Sequence, residues 1–236
     1  MASPVVEGTA TTGGTGPTAN AVVTLPATIQ AGETLIVLHR SAVGTAAHGY
    51  PGGWTVLFNS DADASDDRIS CAWRKADGSE GASITITQTS SKFASIAYRI
   101  SGAEDPTVQA PEFATLIIGT DAAPDPGTVT PTGGSKDYLF LWLGGWEGEQ
   151  TSPPAGNPTN YSNPIGANSG TGGAIATNCR VAGAQRQLTA ASEDPPSWTI
   201  SVSDDWTVTA LAVHPAPPPP PAQGTGWREG RGGWWA

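Results

Sequence analysis

The stretch Asp137-Tyr-Leu-Phe-Leu-Trp-Leu-Gly-Gly-Trp146 decides how this chain is read. Leu139, Phe140, Leu141, Trp142 and Leu143 follow one another without a polar break. An aromatic-rich run of that length, closed by glycine, predicts a strand buried on both faces. A helix of similar hydrophobicity needs about ten or more residues before its breakers, and Gly144 and Gly145 come too early. Glu33-Thr-Leu-Ile-Val-Leu-His-Arg40 is a second strand of the same kind. Gly32 leads into it as Gly133 and Gly134 lead into the later one.

Around these two runs the chain punctuates itself. Thirty Gly and 21 Pro fall among 236 residues, yet the segments between them alternate too regularly for disorder. Residues 83–87, Ser-Ile-Thr-Ile-Thr, give one apolar and one hydroxyl face. Residues 22–25, 55–58, 68–75, 93–100, 113–118, 128–129, 174–181, 185–188, 198–202 and 206–213 read as further strands. No stretch carries a helical period with caps. The expectation is an all-β chain of roughly 11 to 14 short strands, arranged as an antiparallel, jelly-roll-like β-sandwich. Residues 1–20 read as an extended lead-in with room for one edge strand, and 21–214 as the sandwich. Residues 215–223 read as a polyproline linker, and 224–236 as a Trp/Arg/Gly docking tail.

The two halves echo each other. Leu35 lies over Leu139 at an offset of 104, and Pro51-Gly-Gly53 lies over Pro154-Ala-Gly156 at 103. Residues 83–87 match 198–202 at 115, and 93–100 match 206–213 at 113. The growing offset places an insertion in residues 183–196. Two repeats, 21–110 and 127–214, that supply matching strands to facing sheets would explain the pattern.

The order of buried strand, Pro51-Gly-Gly-Trp54, Trp73-Arg-Lys-Ala76, Ile84-Thr-Ile-Thr87 and Tyr98-Arg-Ile-Ser-Gly-Ala103 resembles the β-sandwich proteins of tailed-phage virions. The resemblance covers residues 20–214 through strands and turns only. It implies a capsid decoration or cement role, or a tail-associated one, and brings no catalytic residues with it. Its partners would be other virion proteins, such as the major capsid protein or a tail component, with homo-oligomers in the assembly. Its location would be the particle.

Composition excludes several classes. Net charge is −10, and 11 scattered Lys and Arg do not make the basic patch that duplex binding requires, so no nucleic-acid partner is expected. No apolar run approaches the ~20 residues of a membrane span. The opening Met1-Ala-Ser-Pro4 shows neither a basic nor an apolar leader, which fits release by assembly into a particle. Charged residues make up 14%, against ~25% in an average domain, and Ser and Thr supply the polarity instead. Cys71 and Cys179 could form one bridge, but two strand thiols are expected to act as small buried hydrophobes.

Several residues could carry chemistry. Asp61, Asp63, Asp66 and Asp67 share a loop that could offer oxygens to Ca²⁺. The loop departs from the EF-hand pattern, and a solvated turn without metal is the expectation. His39, His48 and His214 are too dispersed for a metal motif and read as packing or surface histidines. Glu147 and Glu149 beside Trp146 could serve glycoside hydrolysis, though nothing fixes their separation. Trp54, Trp73, Trp146, Trp198 and Trp206 could stack on sugars, but strand placement points to packing. Nucleophile-elbow, P-loop and dinucleotide motifs do not occur, so neither catalysis nor a cofactor is expected.

The tail differs from all of this. Five consecutive prolines, residues 217–221, fix a stiff polyproline helix. Beyond them stand Trp227, Arg228, Arg231, Trp234 and Trp235, residue types that anchor interfaces. The expected function is a non-enzymatic virion protein that docks through this extended Pro-rich arm. A carbohydrate- or host-receptor-binding sandwich is the alternative, and a glycan-cleaving enzyme the third reading.

Overall fold

A computed structural model describes residues 3–61, 67–172 and 177–218. Asp63, Asp66 and the five tail residues of the docking expectation lie outside the described residues. Among the described residues there are eleven strands and no α-helix. The first sheet contains β1 (Val5–Thr24), β2 (Thr34–Ser41), β3 (Thr55–Asp61), β4 (Arg68–Lys75) and β5 (Ser83–Ser101), in the order β1-β5-β2-β4-β3. The second contains β6 (Glu112–Phe113), β7 (Ile117–Gly119), β8 (Lys136–Glu147), β9 (Ser162–Asn168), β10 (Cys179–Ala190) and β11 (Trp206–Val213). Its order is β6-β11-β8-β10-β9, with β7 also paired to β11. All pairings are antiparallel.

Both sheets therefore run first, fifth, second, fourth, third strand of their own half, with β6 and β7 together standing for a first strand. The sandwich is not jelly-roll-like as expected. A jelly roll alternates between its sheets, whereas here the chain completes one sheet before it begins the other. Across the interface β1 and β5 pack on β9, and β5 and β2 pack on β10. The two orders thus run in opposite senses, as a two-fold relation between the halves requires.

Pairing also corrects the register of the echo. Thr34 lies opposite Ile100, and Leu139 opposite Val213, so β2 matches β8 at an offset of 105. The 104 expected from sequence would set Leu35 over Leu139. Leu139 packs between the sheets with Ile36 and Leu38, while Leu35 faces the other way. This register takes β5 over β11 at the expected 113, which sets Ile100 over Val213, both packed between the sheets.

The core has three layers of side chains. Between the sheets pack Ile36, Leu38, Ile96 and Tyr98 from the first and Leu139, Leu141, Leu143 and Leu211 from the second. Outside the second sheet, Phe140, Trp142 and Ala210 lie under Val129, Trp198 and Ile200. Strand β8 is thus buried on both faces, as its unbroken apolar run predicted. Residues 198–202, expected as a strand, form this cover instead: Trp198 N–H donates to Pro124 O at 2.9 Å and Ile200 N–H to Ala122 O at 3.0 Å. Outside the first sheet, the β1–β5 ribbon bends over and lays Ala21, Val23, Ile84 and Ile86 on Val37 and Ala97.

Two boundaries differ from expectation. Residues 5–20 are more than a lead-in that could hold an edge strand: they form the first part of a 20-residue edge strand. Their small side chains serve close approach: a Cβ on Gly13 would come within 1.8 Å of Asn168 O in β9. The body also continues past residue 214. Pro215 is buried and bridges Ala103, and Ala216 N–H donates to Gly102 O at 2.9 Å.

Candidate functional site

Strand β2 alternates, so Ile36, Leu38 and Arg40 face the second sheet while Val37 and His39 face the cover. This alternation builds two buried polar centres on neighbouring residues.

His39 is fully buried beneath the bend of the β1–β5 ribbon. Its Nε2 lies 2.8 Å from Gln88 Oε1 and its Nδ1 2.7 Å from Ser95 Oγ. Gln88 spends its amide nitrogen on Thr18 O and Ser91 O, so its oxygen must accept. The imidazole is therefore the Nε2–H tautomer, and Ser95 donates to Nδ1. His48 comes from the loop between β2 and β3, and its ring centroid lies 4.5 Å from that of His39, edge to face. Its Nε2 is 2.9 Å from Ser41 Oγ and its Nδ1 2.7 Å from Ser70 Oγ, which also meets Tyr50 OH at 2.9 Å. The structure thus brings together two histidines that the sequence separates, and every ring nitrogen of the pair has a hydroxyl or amide partner. Burial holds His39 down to about 4. His48 is held down to about 2, by burial first and then by the charge that His39 and Arg68 would place beside it.

Arg40 and Asp67 form the second centre, with both side chains fully buried. Arg40 Nη2 and Nε donate to Asp67 Oδ2 at 2.6 and 3.1 Å, and Nη1 donates across the sandwich to Gly145 O at 3.0 Å. Gly145 has to be glycine here, because a Cβ would lie 2.7 Å from Arg180 O and 2.9 Å from Arg40 Cδ. Asp67 is therefore not part of a solvated acidic turn; it neutralises a cation in the interior. Asp61 remains exposed and pairs with Arg68 at 2.6 Å. Period-two reading of β2 would have flagged Arg40, which follows Ile36 and Leu38 on the inward face. No local sequence signal marks Gln88 or Ser95.

The other sequence candidates separate. Glu147 is buried at the end of β8, whereas Glu149 accepts from Gly172 N at 2.5 Å and Asn178 Nδ2 at 3.1 Å. His214, just past β11 of the second sheet, bonds Glu112 Oε1 at 2.9 Å, apart from the two histidines of the first half. Trp73, Trp142, Trp146, Trp198 and Trp206 are buried, and Trp54 is half-buried against the cover. Cys71 and Cys179 are free thiols in the inter-sheet core. Burial raises both, Cys179 to about 12.

What the body offers outward is its sheet edges. Beside β3, register places Phe113 on the face of Leu211 and Ile118 on the face of Thr207, both directed between the sheets. Leu116 lies between them and packs partly on the core. Phe113 is 37% and Ile118 53% exposed, and Phe58 of β3 flanks Phe113 with centroids 5.3 Å apart. The result is an open apolar strip where the second half supplies short β6 and β7 in place of a long first strand. At the opposite edge, Val6, Thr9, Asn163, Pro164 and Ile165 line a shallow, polar cleft between β1 and β9.

Comparison with protein-family models, with curated proteins and with solved structures gives no match for this chain.

Proposed function

We propose that this chain is a non-enzymatic structural protein of a tailed-phage particle, which decorates or cements the capsid or tail by burying its sheet edges and C-terminal arm against neighbouring subunits. The observation that carries this reading is the use made of its polar residues. Histidine, arginine, aspartate and serine side chains able to do chemistry are enclosed, where they hold sheet, cover and facing sheet together. Solvent meets strand edges and Thr-rich surfaces instead. A glycan-binding face needs exposed aromatic rings, and the described tryptophans are turned inward.

The test is location. Purified particles are treated with a short amine- and carboxyl-reactive cross-linker, and the cross-linked peptides are identified by mass spectrometry. Stoichiometric recovery in particles, cross-linked to shell or tail subunits, is the expected result. A chain absent from purified particles, or one that binds a glycan saturably in its free form, refutes the reading.

A further inference from the structure

We propose that the apolar strip formed by Phe113, Leu116 and Ile118, with Leu57 and Phe58, is the receptor for the C-terminal segment of a second copy of this chain, so that subunits join head to tail. The inference rests on the assembly reading above and names the partner.

Four observations carry it. The first is chemical match. Phe113 and Ile118 are among the larger apolar side chains left exposed on the body, and they lie on one face of one edge. The tail concentrates three of the nine tryptophans in its last ten residues. Three tryptophans present on the order of 600 Å² of side chain, close to the ~800 Å² per partner of a stable interface.

The second is charge. The tail from residue 219 onward holds Arg228, Arg231 and Glu229, a net charge of +1. Since the whole chain carries −10, the remainder carries −11. Arginines flanking a tryptophan cluster suit docking on a body of that charge.

The third is reach. Eight residues separate residue 218 from Trp227, and the nine steps along the chain can span up to ~30 Å.

The fourth is direction, and it selects the second copy over the same chain. Strand β11 carries the chain toward Val213, and Pro215 is pinned against Ala103 at that end. The strip runs back the other way, from Phe113 opposite Leu211 to Ile118 opposite Thr207. A segment leaving the body at that end has to turn back to lie along its own strip, whereas one delivered to a neighbour does not. Because donor and receptor surfaces differ, the contact is heterologous and propagates.

The experiment is sedimentation velocity of the full-length chain over a hundredfold concentration range. Two full-length variants accompany it: Ile118→Asp, which spoils the receptor, and a triple variant with Trp227→Ala, Trp234→Ala and Trp235→Ala, which spoils the donor. Ile118 is 53% exposed, so the first should melt within a few degrees of the parent. Melting curves of all three chains establish that each is folded. The expected result is concentration-dependent growth of the parent and at least a tenfold weaker association of each variant. An equimolar mixture of the two variants, which retains one intact contact, should stop at a 1:1 pair. A parent that stays monomeric overturns the inference, as does one whose association ignores Ile118→Asp. A mixture that fails to pair overturns it too. A monomeric chain that still incorporates into particles leaves the assembly reading standing, so the two failures are distinguishable.

Discussion

Acid should unlock the cover of the first sheet, and the His39–His48 pair sets the size of the effect. Both imidazoles are neutral in the folded chain, at about 4 and about 2, against 6.5 for an unperturbed histidine. A base whose folded value lies below its unfolded value contributes stability above the unfolded value, and that stability is lost as pH falls toward the folded one. The window therefore opens near pH 6.5 and runs down to about 4 for His39, and lower for His48. Within it each histidine costs ~1.4 kcal/mol per pH unit. Between pH 6.5 and 5 the pair should remove about 3 kcal/mol, since the unfolded histidines are only half protonated at 6.5, against a total of ~5–15 for a domain. Burial also lowers His214, which adds to the same window, while Asp105 is held at about 2 and acts only in stronger acid. The variant that isolates the pair is His39→Gln, because a glutamine amide can still donate to Gln88 and accept from Ser95. Urea unfolding at pH 7.5, 6.5, 5.5 and 5.0 should show the parent losing stability steeply below 6.5. In His39→Gln the slope should fall by about one proton, or ~1.4 kcal/mol per unit. A parent flat from pH 7.5 to 5, or a His39→Gln variant with the parent's slope, would refute the assignment.

Asp67→Ala should cost ~3–5 kcal/mol by leaving the Arg40 guanidinium buried without its carboxylate, while the joint change with Arg40→Met should cost much less; thermal melts compare the two. Gly145→Ala should destabilise by ~1–3 kcal/mol in the same assay, because its Cβ has no room beside Arg180 O and Arg40. Leu141→Asp should prevent folding, since it sets a charge in the middle of the inter-sheet core, and far-UV circular dichroism would report it. Cys71 and Cys179 should react with an aromatic disulfide reagent only after denaturant is added, because both thiols are buried and raised.

The fold class was legible because β2 and β8 are short, apolar and bounded by glycine, which admits one local structure. Their register was not, and the reason is physical. A strand buried on one face announces its register through alternation, but β8 is apolar at every position from Leu139 to Leu143, so a slip of one residue leaves the pattern unchanged. Only pairing with β11 resolves it. The length of strand β1 was illegible for the opposite reason. Its Gly-Thr-Ala sequence looks like a linker, yet those small residues let β9 and the returning ribbon come close. At the polar centres, composition misled over Asp67, whose acidic neighbours suggested solvent. Position informed over Arg40, which period two places inward. The His39–His48 contact could not be read, since it depends on how a loop folds back over a sheet.

The two-fold relation between the halves explains why their sequences echo weakly where the sheets touch. With offsets of 105 for β2 and β8, Arg40 and Gly145 are equivalent positions, and they meet across the interface at 3.0 Å. Near a two-fold axis a residue meets its own counterpart. Two arginines there would bury like charges against each other, and two glycines would leave a void. One arginine over one glycine fills the space and uses the glycine carbonyl as an acceptor. The flanking positions follow suit: Asp67 and Cys179 are equivalent by pairing, Asp67 holding the Arg40 side chain and Cys179 donating to the Arg40 carbonyl at 3.4 Å. Repetition of topology thus demands divergence of residues along the axis. The edges diverge too, since a 20-residue β1 closes one half while two- and three-residue strands leave the other open. A perfect repeat would present the same edge twice and favour closed pairing; this asymmetry gives the chain one distinct apolar edge, which a head-to-tail contact requires.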